Sequence, residues 1–340
     1  MMRGSIQMIK RKIALVKVYF NMHSAIKSRE ESQKVIRRQS QSYPPLGLCY
    51  IDSYLNSKGI TNVEIIDCVE RKYTSIMCSE YIVKNGFDIV GISLNSFLLK
   101  EAGILIREIK RRKKKIIIVL GGVHVTYHPQ IVKILKADYG IRGDGENSFY
   151  EFLVNFNHNI EGLVYIENDK VKYNKSAIAE DLNKLAFPSI IPHEYKFPIC
   201  NKRTYTMISS RGCPHDCIFC GLPHKREYRS RTAENIFSEM EYLQKNGFEY
   251  IDFKDDCFAI NRKQAMILCD LIINSDLRIE WGMETRADLI DYDLLKSFKK
   301  AGCNNLKFGV ESGVERIRNV IINKSISDKV IFDVVNGVKS

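Results

Sequence analysis

Two rhythms alternate along the first half of the chain: short unbroken apolar runs, and longer stretches with apolar residues three or four positions apart. Ile13–Phe20 reads as a buried strand, and residues 21–42 behind it are polar without periodicity, a long loop. Tyr43-Pro-Pro-Leu-Gly47 leads into a predicted helix with Leu48, Ile51, Tyr54 and Leu55 on one face, ended by Gly59. The pattern then predicts strand Val63–Ile66, helix Ser75–Lys84, strand Ile89–Leu94 and helix Leu98–Arg111. Strand Ile116–Leu120, a shorter helix Pro129–Lys136, strand Tyr139–Ile141 and helix Asn147–Phe156 complete the set. Such alternation predicts an α/β domain over residues 1–158, a doubly wound parallel sheet covered on both faces.

Residues 159–202 read as a joint. Gly162–Tyr173 alternates about Glu167–Lys170 as a β-hairpin, and a stretch with Pro188, Pro192 and Pro198 suits a linker. From Arg203 the βα rhythm resumes. Strand Thr204–Ile208 precedes a cysteine-rich loop, and Thr232 caps a helix whose face is Ile236, Phe237, Met240 and Leu243. Strand Tyr250–Phe253, helix Arg262–Asn274, strand Arg278–Met283, helix Tyr292–Ala301, strand Asn305–Val310 and a helix near Ser327 follow. Residues 203–340 therefore predict a partial (β/α) TIM-like barrel, in which chemistry gathers at the carboxyl ends of strands. Four βα units and the next helix are visible, so the barrel reads as truncated after the fourth unit.

Composition changes this picture little. The 340 residues are 45% hydrophobic, enough for two cores, and no apolar stretch is long enough to span a bilayer. The net charge of +12 raises the question of nucleic acid. Its one dense run, Lys110–Lys115, sits where a helix should end and where cations are favoured by the helix dipole, so no nucleic-acid partner is expected. Of the ten cysteines, Cys49, Cys68, Cys78, Cys200, Cys257, Cys269 and Cys303 are scattered, and read as small buried hydrophobes in a reducing, cytoplasmic compartment.

The other three carry chemistry. Cys213, Cys217 and Cys220 fall within eight residues of one loop, spaced Cys-x3-Cys-x2-Cys. Three thiolates can hold three corners of an iron–sulfur cube, and with no fourth cysteine in the loop the last iron stays open for chemistry. A zinc site completed by His215 or His224 is the alternative, but zinc sites usually show paired ligand spacings and no second Cys-x2-Cys exists.

With Phe219 ahead of the last cysteine, the loop resembles the signature of the radical S-adenosylmethionine (SAM) enzymes. The resemblance implies a [4Fe-4S] cluster on Cys213, Cys217 and Cys220, whose open iron binds SAM and reduces it to a 5′-deoxyadenosyl radical. It further implies a SAM pocket at Phe219, Asp255 or Asp256 (for the amino group), Arg286 (for the carboxylate or for substrate), Glu311 and Ser312. Local alternatives are that Asp255-Asp256 caps the next helix and that Arg286 pairs with Glu284 or Asp288. The first domain resembles the flavodoxin-like cobalamin-binding domain of this group, through Pro45-Leu-Gly-Leu48, Asp67, Gly91-Ile-Ser93, Gly121-Gly-Val-His124 and Gly143-Asp-Gly-Glu146. Ser93, Gly121, Gly122, His124, Gly143 and Glu146 are thereby the expected cobalamin contacts. Asp144 stands where the family usually has Glu, and the Asp-x-His-x-x-Gly loop that supplies a histidine to cobalt is absent.

The function so implied is a cobalamin-dependent methyltransferase acting on an unactivated carbon of a small molecule, anaerobic, served by an electron donor such as flavodoxin or ferredoxin. A radical SAM cyclase or rearrangement enzyme, and an inactive cluster- or cobalamin-binding protein, are the alternatives. No side chain is assigned as catalytic.

Overall fold

The computed structural model describes residues 11–18, 43–191, 202–221 and 227–339. Loop 21–42, Cys200 and His224 lie outside them. The described residues divide into two compact units, one running through Ala179 and taking in Leu185–Ile191, the other comprising Glu180–Lys184 and the residues from Lys202 onward.

In the first unit, β1 (Ile13–Lys17) leads to α1 (Leu46–Ser57), β2 (Val63–Asp67), α2 (Ser75–Lys84), β3 (Ile89–Ser93) and α3 (Leu99–Arg112). Then come β4 (Ile117–Gly121), α4 (Val123–Tyr127), α5 (Ile131–Ile134), β5 (Tyr139–Ile141), α6 (Glu146–Val154) and the hairpin β6 (Leu163–Glu167) and β7 (Lys170–Tyr173). The sheet runs β2-β1-β3-β4-β5-β6-β7, parallel through β5 and antiparallel thereafter. Its parallel part has the flavodoxin-like order. The hairpin is thus an extension of this sheet.

Alternation within each strand explains why both faces are covered. Ala14, Val16, Val90, Ile92, Ile118 and Leu120 face α2 and α3, packing on Cys78, Ile82, Leu105 and Ile109. Ile13, Leu15, Ile89 and Val119 face the other way, against Leu48 and Leu55 of α1 and Phe149 and Phe152 of α6. Helix starts follow their caps: Thr74 Oγ1 accepts from Met77 N at 3.2 Å at the head of α2. The basic run does end a helix, with Lys110 bridging to Asp138 (2.6 Å) and Arg111 pairing with Glu108 (3.0 Å).

The second unit starts with β8 (Thr204–Met207) and the short ribbon β9 (Ser210–Arg211) with β10 (Arg229–Ser230). α7 (Ala233–Lys245), β11 (Tyr250–Phe253), α8 (Arg262–Ile273), β12 (Glu280–Thr285), α9 (Tyr292–Lys300), β13 (Cys303–Phe308) and α10 (Asp328–Lys339) follow. Its main sheet is parallel, in the order β13-β12-β11-β8. Trp281 of β12 is fully buried, donates from Nε1 to Ala301 O at 2.8 Å, and meets Phe253 and Phe298 edge-on. That aromatic knot locks α9 to the sheet. Among the described residues no helix is long and apolar enough to cross a membrane.

Candidate active site

The cysteine loop is rooted at the end of β8. Parallel pairing sets Met207 opposite Phe253, so the loops leaving β8 and β11 begin side by side. Asp255 uses that proximity. Its buried carboxylate accepts from Ser209 N (3.0 Å), Ser209 Oγ (2.6 Å) and Ser210 Oγ (2.6 Å). Burial pushes its pKa above the ordinary carboxyl value, against the pull of those donors. On the other side Arg231 donates to Ile208 O (2.9 Å) and pairs with the buried Glu239 at 2.5 Å. Gly212, at φ +83°, makes the turn into Cys213, and its N–H donates to Asp256 at 2.9 Å.

Beyond that turn the loop covers a cavity of about 420 Å³. Cys213, Cys217, Phe219 and Cys220 of the loop line it together with Asp256, Arg286, Glu311 and Lys324. The two aspartates therefore do different work: Asp255 ties down the loop, whereas Asp256 is exposed to the cavity. Ser312 is turned to its own chain, its hydroxyl accepting from Val314 N at 3.1 Å. Glu311 takes a positive φ of 64° and accepts from Lys324 Nζ at 2.7 Å. A Cβ on Gly309 would stand 2.1 Å from that carboxylate, so a larger residue there would push the Glu311 side chain aside.

Arg286 is buried and almost fully engaged. Nε and Nη2 fork onto Asp288 (3.0 and 2.9 Å), Nη2 also donates to Lys324 O (2.6 Å), and Nη1 reaches Cys217 Sγ at 3.5 Å. Of the five N–H groups of a guanidinium, one is left over. Cys257, read from the sequence as one of the scattered buried cysteines, is indeed buried but lines this cavity together with Cys213, its thiol 3.9 Å from Phe258 O and from Thr285 Oγ1. The neighbouring Cys257 is the chief reason the Cys213 thiol pKa falls to about 6, while that of Cys257 itself is pushed up.

This donor set fits an iron–sulfur cluster. Three loop thiols share one cavity, one of them acidified and another under a guanidinium, as thiolate ligation requires. Among the described residues no three His, Cys, Asp or Glu side chains form a site for a single metal ion. His215 also lines the cavity; burial, followed by the charges of Arg286 and Lys324, keeps its pKa low.

In the first unit the expected cobalamin residues cluster at strand ends. Ser93 of β3 pairs with Gly121 of β4, and a Cβ on Gly122 would stand 2.6 Å from Leu94 O. Thr126 Oγ1 accepts from Gly143 N at 3.0 Å and donates to Gly122 O at 3.2 Å, binding the loops after β4 and β5 together. His124 Nδ1 lies 2.9 Å from Ser96 Oγ, its ring 5.0 Å from that of His128; burial first and His128 second lower its pKa. Glu146 is buried at the head of α6. Asp144 accepts from Ala179 N at 2.8 Å, and Asp67 bridges to Lys17 at 3.0 Å. Because Gly122 sits at φ +91° against backbone, Gly122→Ala is expected to cost roughly 2 kcal/mol or more. A lowered melting temperature, and loss of corrin absorbance from protein gel-filtered after cobalamin loading, would check it.

Known proteins share this arrangement. The family model of the Radical SAM superfamily matches residues 207–339, and that of the B12 binding domain matches residues 33–153. The chain belongs to the cobalamin-binding radical SAM family. The family's cofactors are a [4Fe-4S] cluster, SAM and cobalamin. An uncharacterized methyltransferase of Pyrococcus horikoshii is 29% identical over 309 residues, 87% of this chain and 66% of the relative. The anaerobic magnesium-protoporphyrin IX monomethyl ester cyclase of Rubrivivax gelatinosus is 27% identical over 301 residues, 83% of this chain and 54% of the relative. The radical SAM methyltransferase TsrM of Kitasatospora setae, solved with cobalamin and a [4Fe-4S] cluster, superposes with a TM-score of 0.76 at 16% identity, over 97% of this chain and 67% of that one. The chain thus spans between about half and two thirds of the length of these relatives.

Proposed function

We propose that this chain is a cobalamin-dependent radical SAM enzyme, a methyltransferase acting on an unactivated carbon of a small-molecule substrate. The observation that carries the reading is the cavity that the three loop thiols line together with Asp256, Glu311 and Lys324. When bound, the cluster and SAM supply a 5′-deoxyadenosyl radical and cobalamin supplies a transferable methyl group.

The chain's own residues supply the binding. Cys213, Cys217 and Cys220 hold the cluster. Asp256 takes the ammonium of SAM, since Asp255 is consumed by the serines. A carboxylate of SAM needs a cation, and Arg286 has too few free N–H groups to clamp one bidentately. Lys324, held by Glu311, is the better-placed partner. Phe219, 55% exposed and lining the cavity, offers a flat apolar wall. In the first unit Ser93, Gly121, Gly122, His124, Gly143 and Glu146 form the corrin site, the close glycine turns leaving room for a bulky ligand. Among the described residues six buried free cysteines support a reducing cytoplasmic setting, with a flavodoxin- or ferredoxin-type donor of single electrons.

Anaerobic turnover with SAM and a low-potential reductant tests the reading. Methyl transfer is expected to give both 5′-deoxyadenosine and S-adenosylhomocysteine. Deoxyadenosine without the homocysteine product would overturn methyl transfer in favour of the cyclase reading, which the Rubrivivax relative supports. No deoxyadenosine from a fully loaded cluster would leave a binding protein.

A further inference from the structure

Glu311 and Lys324 reach the cavity from the loop between β13 and α10, and a third residue of that loop fastens both. Arg318 is fully buried and does not line the cavity. Its guanidinium donates from Nη1 to Ser312 O at 2.8 Å and from Nε to Ile326 O at 2.6 Å. Nη2 donates to Asp328 and lies 3.7 Å from Glu315. The backbone of Arg318 adds two bonds: its N–H donates to Val314 O at 3.1 Å, and its carbonyl accepts from Lys324 N at 3.0 Å. A π-helical turn over Ile317–Ile321, in which Ile322 N donates to Ile317 O at 2.9 Å, lets the chain come back on itself in this way. Arg318 thus holds Ser312, the residue after Glu311, by its side chain, and Lys324 by its main chain.

Burying a guanidinium is a poor route to stability, because desolvation offsets the pairing. What it gives is geometry, since a rigid planar fork fixes the direction of each acceptor. An apolar side chain could fill the same space, but it would not draw Ser312 O, Ile326 O and Asp328 to one point. We infer that Arg318 is a positioning residue which, through Glu311 and Lys324, sets the affinity of the chain for SAM. The inference rests on the reading of Lys324 as the partner of the SAM carboxylate. Iron should be spared. The turn does meet the cysteine loop, Ile322 O accepting from Ile218 N at 3.1 Å, but that loop is tied down independently by Asp255.

The test is equilibrium dialysis of radiolabelled SAM against the anaerobically reconstituted full chain, with the cluster kept oxidised so that no SAM is cleaved. Iron per chain is counted in each sample, and the temperature is held well below every melting point. The proteins are wild type, Arg318→Lys, Asp328→Ala, Lys324→Ala, and Lys324→Ala combined with each of the other two. Lys324→Ala and Arg318→Lys are each expected to weaken SAM binding about tenfold, with full iron. Asp328→Ala withdraws one partner of the fork at a half-exposed position and should weaken it about threefold. Because Arg318 acts through Lys324, the double variants should bind SAM no more weakly than Lys324→Ala, whereas independent effects would multiply to about a hundredfold for Arg318→Lys/Lys324→Ala. Wild-type affinity in Arg318→Lys and Asp328→Ala would overturn the inference and leave the SAM site standing. Multiplying effects, or iron falling in step with SAM affinity, would also overturn it, by making Arg318 a part of the general scaffold. Wild-type affinity in Lys324→Ala would instead overturn the reading of the SAM site. Should Arg318→Lys fail to fold, Asp328→Ala, alone and combined with Lys324→Ala, decides in its place.

Discussion

Cys217→Ala abolishes iron retention and SAM cleavage together while leaving the protein folded. Cys217 sits in the middle of the loop, partly exposed, its backbone O accepting from Cys220 N at 3.1 Å. Ile218 N anchors to Ile322 O at 3.1 Å, so the loop is pinned by backbone as well as by its sulfurs. Removing one half-exposed sulfur therefore costs the apo-protein within about 1 kcal/mol. The loss to the cofactor is of another order. Two thiolates cannot grip three corners of a cube, and the Arg286 charge beside the missing sulfur is left facing a vacant ligand position. The expected result is colourless protein after anaerobic reconstitution, iron at background, and 5′-deoxyadenosine at background, with an unchanged apo melting curve. Cys78→Ala, in the core of the first unit, should lower stability yet keep all the iron. A Cys217→Ala protein that stays brown and still makes the adenosyl product would refute the cluster assignment.

Much of this architecture is written in local pattern. Strands buried on both faces give unbroken apolar runs, and Tyr250–Phe253 is found where the run lies. Thr232 caps α7 as its side chain predicts, accepting from Asn235 N at 3.2 Å. Where the reading slipped, a specific force opposed it. α4 is built of Val, His, Val, Thr and Tyr, all weak helix formers, so only its position after the Gly121-Gly122 turn makes it helical. The pattern predicts the last strand at Asn305–Val310, but it runs Cys303–Phe308, and the chain beyond it turns through Glu311 in a left-handed conformation. Pairwise placement was least legible. Cys257 shares a cavity with Cys213 because β8 and β11 are parallel neighbours in register, which no spacing along the chain reveals. Lys324, distant from every motif, enters the cavity by its pairing with Glu311. The resemblance to a family located the loop; it could not say that Asp255 and Asp256 face different ways.

That division of labour carries the second large effect. Asp255→Ala is expected to destabilise the second unit strongly, whereas Asp256→Ala should barely move its stability. Asp255 is 6% exposed and satisfies three donors, two serine hydroxyls and a backbone N–H. Deleting its carboxylate strands those donors in a part-buried site, at a cost of roughly 3 kcal/mol, a fall of roughly 10 °C in the melting temperature of a unit this size. The strain falls at the foot of the cysteine loop, so iron loading should drop as well, through a loosened scaffold. Asp256 is exposed, and the backbone N–H of Gly212 that donates to it can turn to solvent instead. Its loss should leave the apo melting temperature and iron content near wild type and instead weaken SAM binding, read by the perturbation that SAM causes in the cluster's paramagnetic resonance spectrum. Asp255→Asn separates the two contributions further, because an amide oxygen still accepts from a serine while the negative charge is gone. If Asp256→Ala unfolds the unit and Asp255→Ala does not, the roles are reversed and the cavity must be redrawn around Asp255.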